Sequence, residues 1–361
     1  SLRWGPDGWL YGAQGSTTTA VINTKNSNDV AFLGQAIWRY HPQRQIFEVF
    51  AEGGGNTFQV EIDAKGRIYS GTNGITRGQY YKQGAYYTKN WGKHGALTNS
   101  YAFGYLPDMD FNGEKIRFTH AWIKYEGGAL PPAYEGKMFA INPLQNYIQL
   151  SRLELNGSTF ATFDEGKVLA SEDRWFRPVD IKGGPDGALY LADWCDSRLS
   201  HVDPKDTWHK QSGRIYRIAG KGSPPPHSVD LTQFSSDSLV SMLSHENKWH
   251  RQQALRLLGD RQDTSTHQRL TGLLQTADGQ TALEALWALY VSGGWSDDIT
   301  SMALSNQDPH VRRWAVRLCA DVTKPSAIQA QQLLDIADVE KHPEVLSQLA
   351  ATAKRVEPDL G

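Results

Sequence analysis

Two periods of hydrophobic and polar residues divide the chain. Over residues 1–220 the apolar positions alternate with polar ones in short runs. "GWLYGAQG", "AIWRYHP", "QIFEVFAEG", "TFQVEID", "GRIYSGTN", "YIQLSRLEL" and "ALYLADW" are separated by Gly, Pro, Asn or Asp. This is the period of half-buried strands between tight turns. From residue 231 onward the spacing becomes helical. "NKWHRQQALRLLGD" (247–260) and "DPHVRRWAVRLCAD" (308–321) align without a gap, and Ala254, Leu257 and Leu258 fall on one stripe. "TALEALWALYVSGG" (281–294) adds a further helix that Gly293-Gly294 would end. Between the two regimes "GKGSPPPHSVD" reads as a stiffened linker. The pattern therefore predicts β structure over 1–220, a Pro-rich linker over 221–230 and HEAT-like helical repeats over 231–361.

The β region repeats itself. "FRPVDIKGGPDGALYLADW" (176–194) has a shorter copy in "RWGPDGWLYGAQG" (3–15) and a weaker one in "VEIDAKGRIYSGTNG" (60–74). Segments such as "AIWRYHP", "KMFAINP" and "RIYRIAG" alternate with them, which suggests a four-stranded unit used several times, as in an all-β propeller. Residues 75–135 break the rhythm and read as an elaborated loop, with "RFTHAWIKY" returning as a strand. The centre of each copy is turn chemistry: Asp7 and Asp186 cap their own turns, and Gly8 and Gly187 supply positive φ. The alternating carboxylates of a calcium loop are absent from these turns.

The strand ends opposite the turns carry the candidate chemistry. Antiparallel pairing brings Phe176, Arg177 and Asp180 towards Asp193, Trp194 and Asp196, and Asn56 and Thr57 towards Thr72 and Asn73. If the hairpins are equivalent blades, these ends crowd one mouth of a central channel. Arg177 offers a planar fork to a carboxylate ligand, or a salt bridge to Asp180 or Asp193. Asp180 and Asp193 suit orientation of that arginine, or work as a base. Trp194 suits stacking on a flat ring or a sugar face, or a place in the core. His120, in "RFTHAWIKY", is the candidate proton acceptor, with His94 and His201 behind it. His245 and His310 sit at inter-helix turns and read as structural. Polysaccharide cleavage would require Asp180 and Asp193 as carboxylates facing each other across the mouth.

Charge and cysteine content narrow the classes. With 37 Lys and Arg against 39 Asp and Glu, the chain carries no basic block suited to nucleic acid. No stretch is long and apolar enough to span a membrane. Its two cysteines, Cys195 and Cys319, form neither C-x-x-C nor C-x-x-C-H, so neither a Cys-based zinc site nor haem attachment is indicated. Ser1 stands inside a repeat, and the expectation is a piece of a longer protein.

In order along the chain, "LRWGPDGWLYGAQG", "IWRYHPQRQIFEVFAEG", "YEGKMFAINP", "RWFRPVDIKGGPDGALYLADWCD", "SGRIYRI" and the two aligned helical segments resemble the membrane-bound dehydrogenases of planctomycete-type bacteria. Through its propeller that family is similar to the soluble glucose and sorbosone dehydrogenases. The resemblance implies part of a six-bladed propeller followed by HEAT-like repeats, in a periplasmic or otherwise extracytoplasmic oxidoreductase. It implies pyrroloquinoline quinone (PQQ), often with calcium, oxidising a sugar or other alcohol and passing electrons to a c-type cytochrome. Arg177 and Asn56 would hold the quinone and Trp194 would lie against it, with His120, Asp180 and Asp193 as catalytic candidates. The sequence departs from the pattern at Gly55, where quinone-binding relatives carry arginine, and at Thr57, where they carry proline. The alternative expectation is a non-catalytic scaffold whose propeller and HEAT-like surfaces bind polysaccharide or protein.

Overall fold

A computed structural model describes residues 1–16, 19–57, 59–89, 97–117, 121–197, 209, 211–223, 225–226, 229–321 and 324–361. The strands fall between Leu2 and Ile218, and the helical part begins at a short 3-10 turn, Leu231–Gln233. A six-stranded sheet takes the spatial order Leu2–Trp4, Leu10–Gln14, Ala36–His41, Ile46–Gly54, Ala85–Lys89, Gly104–Tyr105. Its first four strands are antiparallel, and the last two join in parallel. A three-stranded sheet holds Glu61–Ile62, Ile68–Ser70 and Gln79–Tyr81. A five-stranded sheet runs Asp110–Asn112, Thr159–Ala170, Tyr147–Asn156, Met138–Asn142, Trp122–Lys124. Pro178–Gly183, Leu189–Asp193 and Arg214–Ile218 make another three-stranded sheet, and Ala20–Ile22 pairs with Val30–Phe32.

Among the described residues sheet size varies from two to six, so the expected four-stranded unit is not uniform, yet the six- and five-stranded sheets each contain a run of four antiparallel strands. The segment 75–135 is also more ordered than its irregular pattern predicts, since it contributes short strands to three sheets. Its tyrosines explain this. Tyr80, Tyr81 and Tyr87 are buried, Tyr81 Oη donates to Gly53 O at 3.2 Å, and Tyr87 Oη donates to Tyr80 O. Aromatic rings with a satisfied hydroxyl suit a half-buried pleated surface whatever their spacing.

Eight α-helices follow: α1 Ser236–Met242, α2 Lys248–Arg261, α3 His267–Thr276, α4 Gly279–Val291, α5 Asp297–Leu304, α6 Pro309–Leu318, α7 Ala327–Val339 and α8 Pro343–Ala353, counted among the described residues. The two aligned segments start alike. Asn247 Oδ1 accepts from Trp249 N at 2.9 Å to cap α2, and Asp308 Oδ1 accepts from His310 N at 2.7 Å to cap α6. Ala254 and Leu258 of α2, Leu283 and Leu286 of α4, and Val311 and Ala315 of α6 join one apolar core. The sheets keep separate cores, one around Trp9, Ile37 and Phe50 and another around Ile123, Ile181 and Leu191. What unites sheets and helices is polar.

Candidate functional site

The strand ends nominated by the repeat meet within the third hairpin, whereas Asn56 and Thr57 bond the end of the first copy. Thr57 Oγ1 donates to Gln14 O at 2.6 Å, and Asn56 Oδ1 accepts from Ser16 N at 3.2 Å. A Cβ on Gly55 would lie 2.1 Å from Thr72 Oγ1, so a longer side chain has no room there unless Thr72 moves. In the third copy Arg177 is buried, and its guanidinium donates to backbone and amide oxygens. Nε reaches Asp196 O at 2.8 Å, and Nη1 reaches Pro143 O and, at 3.2 Å, Asn146 Oδ1. Asp193 accepts from Arg177 N at 2.8 Å and from Cys195 N at 2.9 Å, so its carboxylate terminates the strand. Asp180 accepts from Ile181 N at 2.9 Å and pairs with Lys182 at 3.2 Å. Trp194 is 45% exposed and so is not part of the core. His120, His94 and His201 lie outside the described residues. Cys195 and Cys319 are both buried and free.

The turns carry more than turn chemistry. Asp7 and Asp186 cap their turns as expected, through Trp9 N at 3.4 Å and Ala188 N at 3.2 Å, and Asp63 does the same through Lys65 N at 3.0 Å. Each turn also meets a helix. At the first, Arg317 of α6 donates to Asp7 Oδ2 at 2.7 Å. Beside it Arg39 grips Asp321 through Nη2 to Oδ1 at 2.6 Å and Nη1 to Oδ2 at 3.1 Å, and Trp9 Nε1 donates to the same carboxylate at 2.8 Å. Burial alone would raise the Asp321 pKa, yet Arg39, Arg317 and Arg355 bring it well below the usual carboxylate range.

At the second turn, Arg67 donates to Glu344 of α8 at 2.6 and 2.9 Å, and Trp314 Nε1 donates to Lys65 O at 2.9 Å. Gly66 has φ 68°, and a Cβ there would come within 2.5 Å of the Trp314 ring, so this turn needs glycine both for its backbone and for the close approach. Burial opposes ionisation of Glu344, but its bonds to Arg67 and the charge of Arg313 hold it down at about 2. At the third turn, Asn247 Nδ2 donates to Gly184 O at 3.0 Å, and the His250 ring lies 2.8 Å from Pro185 O.

Between these turns and the helices lies a well of about 960 Å³. Five chain segments that run into turns or bends make one wall: Leu2–Gly8, His41–Arg44, Glu61–Ala64, Ile123–Gly127 and Lys182–Gly183. Helices α2 and α4 and the turn after α4 make the other. The charged groups of the well are largely matched by one another. Lys248 Nζ lies 2.8 Å from Glu61 and 2.9 Å from Glu126, while Lys124 Nζ lies 3.3 Å from both Asp63 and Glu126. Glu284 pairs with Arg251 at 2.9 Å, yet burial still pushes its carboxyl up to about 7, because Arg251 and Gln280 offset only part of the desolvation. Aromatic faces supply much of the remaining wall: Trp4, Trp249, Trp287, Tyr290 and Trp295. Trp287 Nε1 and Tyr290 Oη are buried and have no hydrogen-bond partner among the described residues. Gln252 and Gln253 add two side-chain amides.

The repeat gives no sign of these contacts, because the groups that complete the turns come from helices far along the chain. A signal was present in α6, where Arg313 and Arg317 recur at i, i+4 on a helix that is otherwise core. Long cationic side chains on a buried face need carboxylates from elsewhere.

A family model described as "Domain of unknown function (DUF7133)" matches residues 1–222. No curated protein matches the chain. Among solved structures, a protein of Thermus thermophilus provisionally described as an oxidoreductase (glucose dehydrogenase) aligns with TM-score 0.40 and 19% identity, over 60% of this chain and 63% of that one. Two further structures described as glucose dehydrogenase align with TM-score 0.37, at 15% and 16% identity, over 61% of this chain and 63% and 60% of theirs. The chain thus spans less than two-thirds of the length of each of these structures.

Proposed function

The chain belongs to the DUF7133 family, matched over residues 1–222, and we propose that it is the ligand-holding body of a dehydrogenase-type oxidoreductase, taking a sugar or other alcohol in the well between strands and helices. The observation that carries this reading is the lining of the well. Tryptophan faces suit the C–H faces of a sugar ring, and amides suit its hydroxyls. The matched charges leave no strong field to select a charged ligand. The resemblance to planctomycete-type membrane-bound dehydrogenases supports reading the sheets as part of a propeller and the helices as HEAT-like. It equally supports a periplasmic setting and a c-type cytochrome acceptor.

The residues nominated for pyrroloquinoline quinone do not fit it. The Arg177 donors are engaged with backbone and amide oxygens, Gly55 supplies no guanidinium, and Asn56 already accepts from Ser16. For calcium, no group of three or more His, Cys, Asp or Glu side chains is placed to hold a metal ion among the described residues. No redox step is assigned to these residues. The occupied state of Arg177 favours, as a second reading, a binding scaffold without chemistry of its own.

Both readings meet one experiment. Tryptophan fluorescence of the full chain is titrated with neutral mono- and disaccharides and sugar alcohols, and dye reduction is assayed beside it with PQQ and calcium added. Saturable quenching that Trp4→Ala weakens about tenfold supports the well as the ligand site. Dye reduction on top of binding would select the enzyme, and binding without it the scaffold. No binding across the panel would overturn both.

A further inference from the structure

A second, much smaller cavity lies at the same union of sheets and helices, beside the second turn. It measures about 20 Å³, room for a single water-sized particle. Its wall combines Gly66, Arg67, Tyr80 and Lys82 from the sheets with Arg313 and Arg317 of α6 and Glu344 of α8. Four of these side chains are cationic and one is a carboxylate.

The pairing around the cavity leaves positive charge over. Arg67 is matched by Glu344 at 2.6 Å and by Asp63 at 3.4 Å, but Asp63 also serves Lys124 at 3.3 Å. Arg317 is matched by Asp7 at 2.7 Å. Arg313 has only the Glu344 already held by Arg67, at 3.4 Å, and otherwise donates to neutral oxygens, Tyr80 Oη at 2.8 Å and Lys65 O. Lys82 makes no ion pair among the described residues; its ammonium donates to Ser347 Oγ at 2.8 Å. Its side chain is nonetheless buried, and burial lowers its pKa to about 8, with Glu344 opposing the shift and Arg313 and Arg67 adding to it. Arg317 is 5% exposed, and its Nε is buried with no hydrogen-bond partner among the described residues.

A guanidinium N–H with no acceptor among the described residues, and an ammonium that bonds Ser347 Oγ and lies 5.4 Å from the Tyr80 ring centre, therefore line a cavity of one-particle size with excess positive charge. We propose that this cavity holds a monatomic anion of the chloride class, between Lys82 and Arg317. A water could accept from one of these donors, but it would leave the charge uncompensated in a desolvated place. An anion answers both deficits. It would also tie Lys82, which follows the strand Gln79–Tyr81 and already bonds Ser347 of α8, to α6.

The test uses the full chain. Thermal unfolding is followed while sodium chloride replaces sodium gluconate at constant ionic strength, and crystals soaked in sodium bromide are measured at the bromine absorption edge. The expected results are a saturable rise in Tm of about 2 °C with chloride, its loss in Lys82→Met, and an anomalous peak in the cavity next to Lys82 Nζ. Bromide scattering is read on the unaltered protein, so it decides the matter even if Lys82→Met fails to fold. A cavity with water or no density, and a Tm indifferent to chloride, would overturn the proposal.

Discussion

Around Arg177 and Asn56, at one end of the hairpins, the polar side chains serve nearby backbone. At the other end, around Asp7, Asp63 and the Gly184–Gly187 turn, the polar contacts reach helices 62 to 310 residues away in sequence. The first arrangement finishes strands and leaves little donor capacity for a ligand. The second fastens two differently built regions together and encloses a well between them. Repetition in a sequence marks where structure recurs. Here the recurring element, the turn, is where the helices dock, and the conspicuous arginine beside the strands is a backbone tie.

Breaking the fastening should have the largest effect. Arg39→Ala leaves Asp321 and Glu48 buried without the guanidinium that each contacts at 2.6 Å. Removing one partner of such a pair costs about 3–5 kcal/mol. Denaturant unfolding of the variant is expected to lose that amount, with helices and sheets no longer melting in one transition.

The same contacts set an acid limit. Asp321 and Glu344 both have folded-state pKa values below the unfolded value of about 4. The stability they contribute is full above that value and is lost as pH falls through the folded one, about 2 for Glu344. Unfolding followed by circular dichroism should therefore set in between about pH 4 and pH 2, and Glu344→Gln should remove part of that dependence.

Smaller effects separate the two ends. Arg177→Ala removes bonds to Asp196 O and Asn146 Oδ1 and leaves the Asp196 carbonyl buried, a loss of about 1–3 kcal/mol in the same denaturation experiment. At the edge strand Arg214–Ile218, Ile215 is 73% exposed. Ile215→Lys is expected to change stability by no more than about 0.5 kcal/mol, which provides the control for charge added outside the fastening.

Much of the fold could be read locally. The Asp-capped turns at Asp7 and Asp186 stand where the sequence puts them, and the caps of α2 and α6 are equally local contacts. The hairpin of Tyr147–Asn156 with Thr159–Ala170 was only half legible. Its second strand, "TFATFDEGKVLA", is too polar to show a buried face, and pairing with the first strand imposes the conformation. The fastening was not legible, because nothing local pairs Arg39 with Asp321 or Lys248 with Glu61. Of the nominated site, the pairing of strand ends was visible. The occupation of Arg177 was not, because backbone carbonyls leave no trace in composition or spacing.

The central claim is that ligand is held at the turn end and not at the opposite mouth. Calorimetric titration of the best-binding neutral sugar into Trp4→Ala and Arg177→Lys tests it most directly. The account predicts about tenfold weaker binding for Trp4→Ala and an unchanged affinity for Arg177→Lys. Loss of binding in Arg177→Lys with Trp4→Ala unaffected would contradict it, and would move the site back to the mouth.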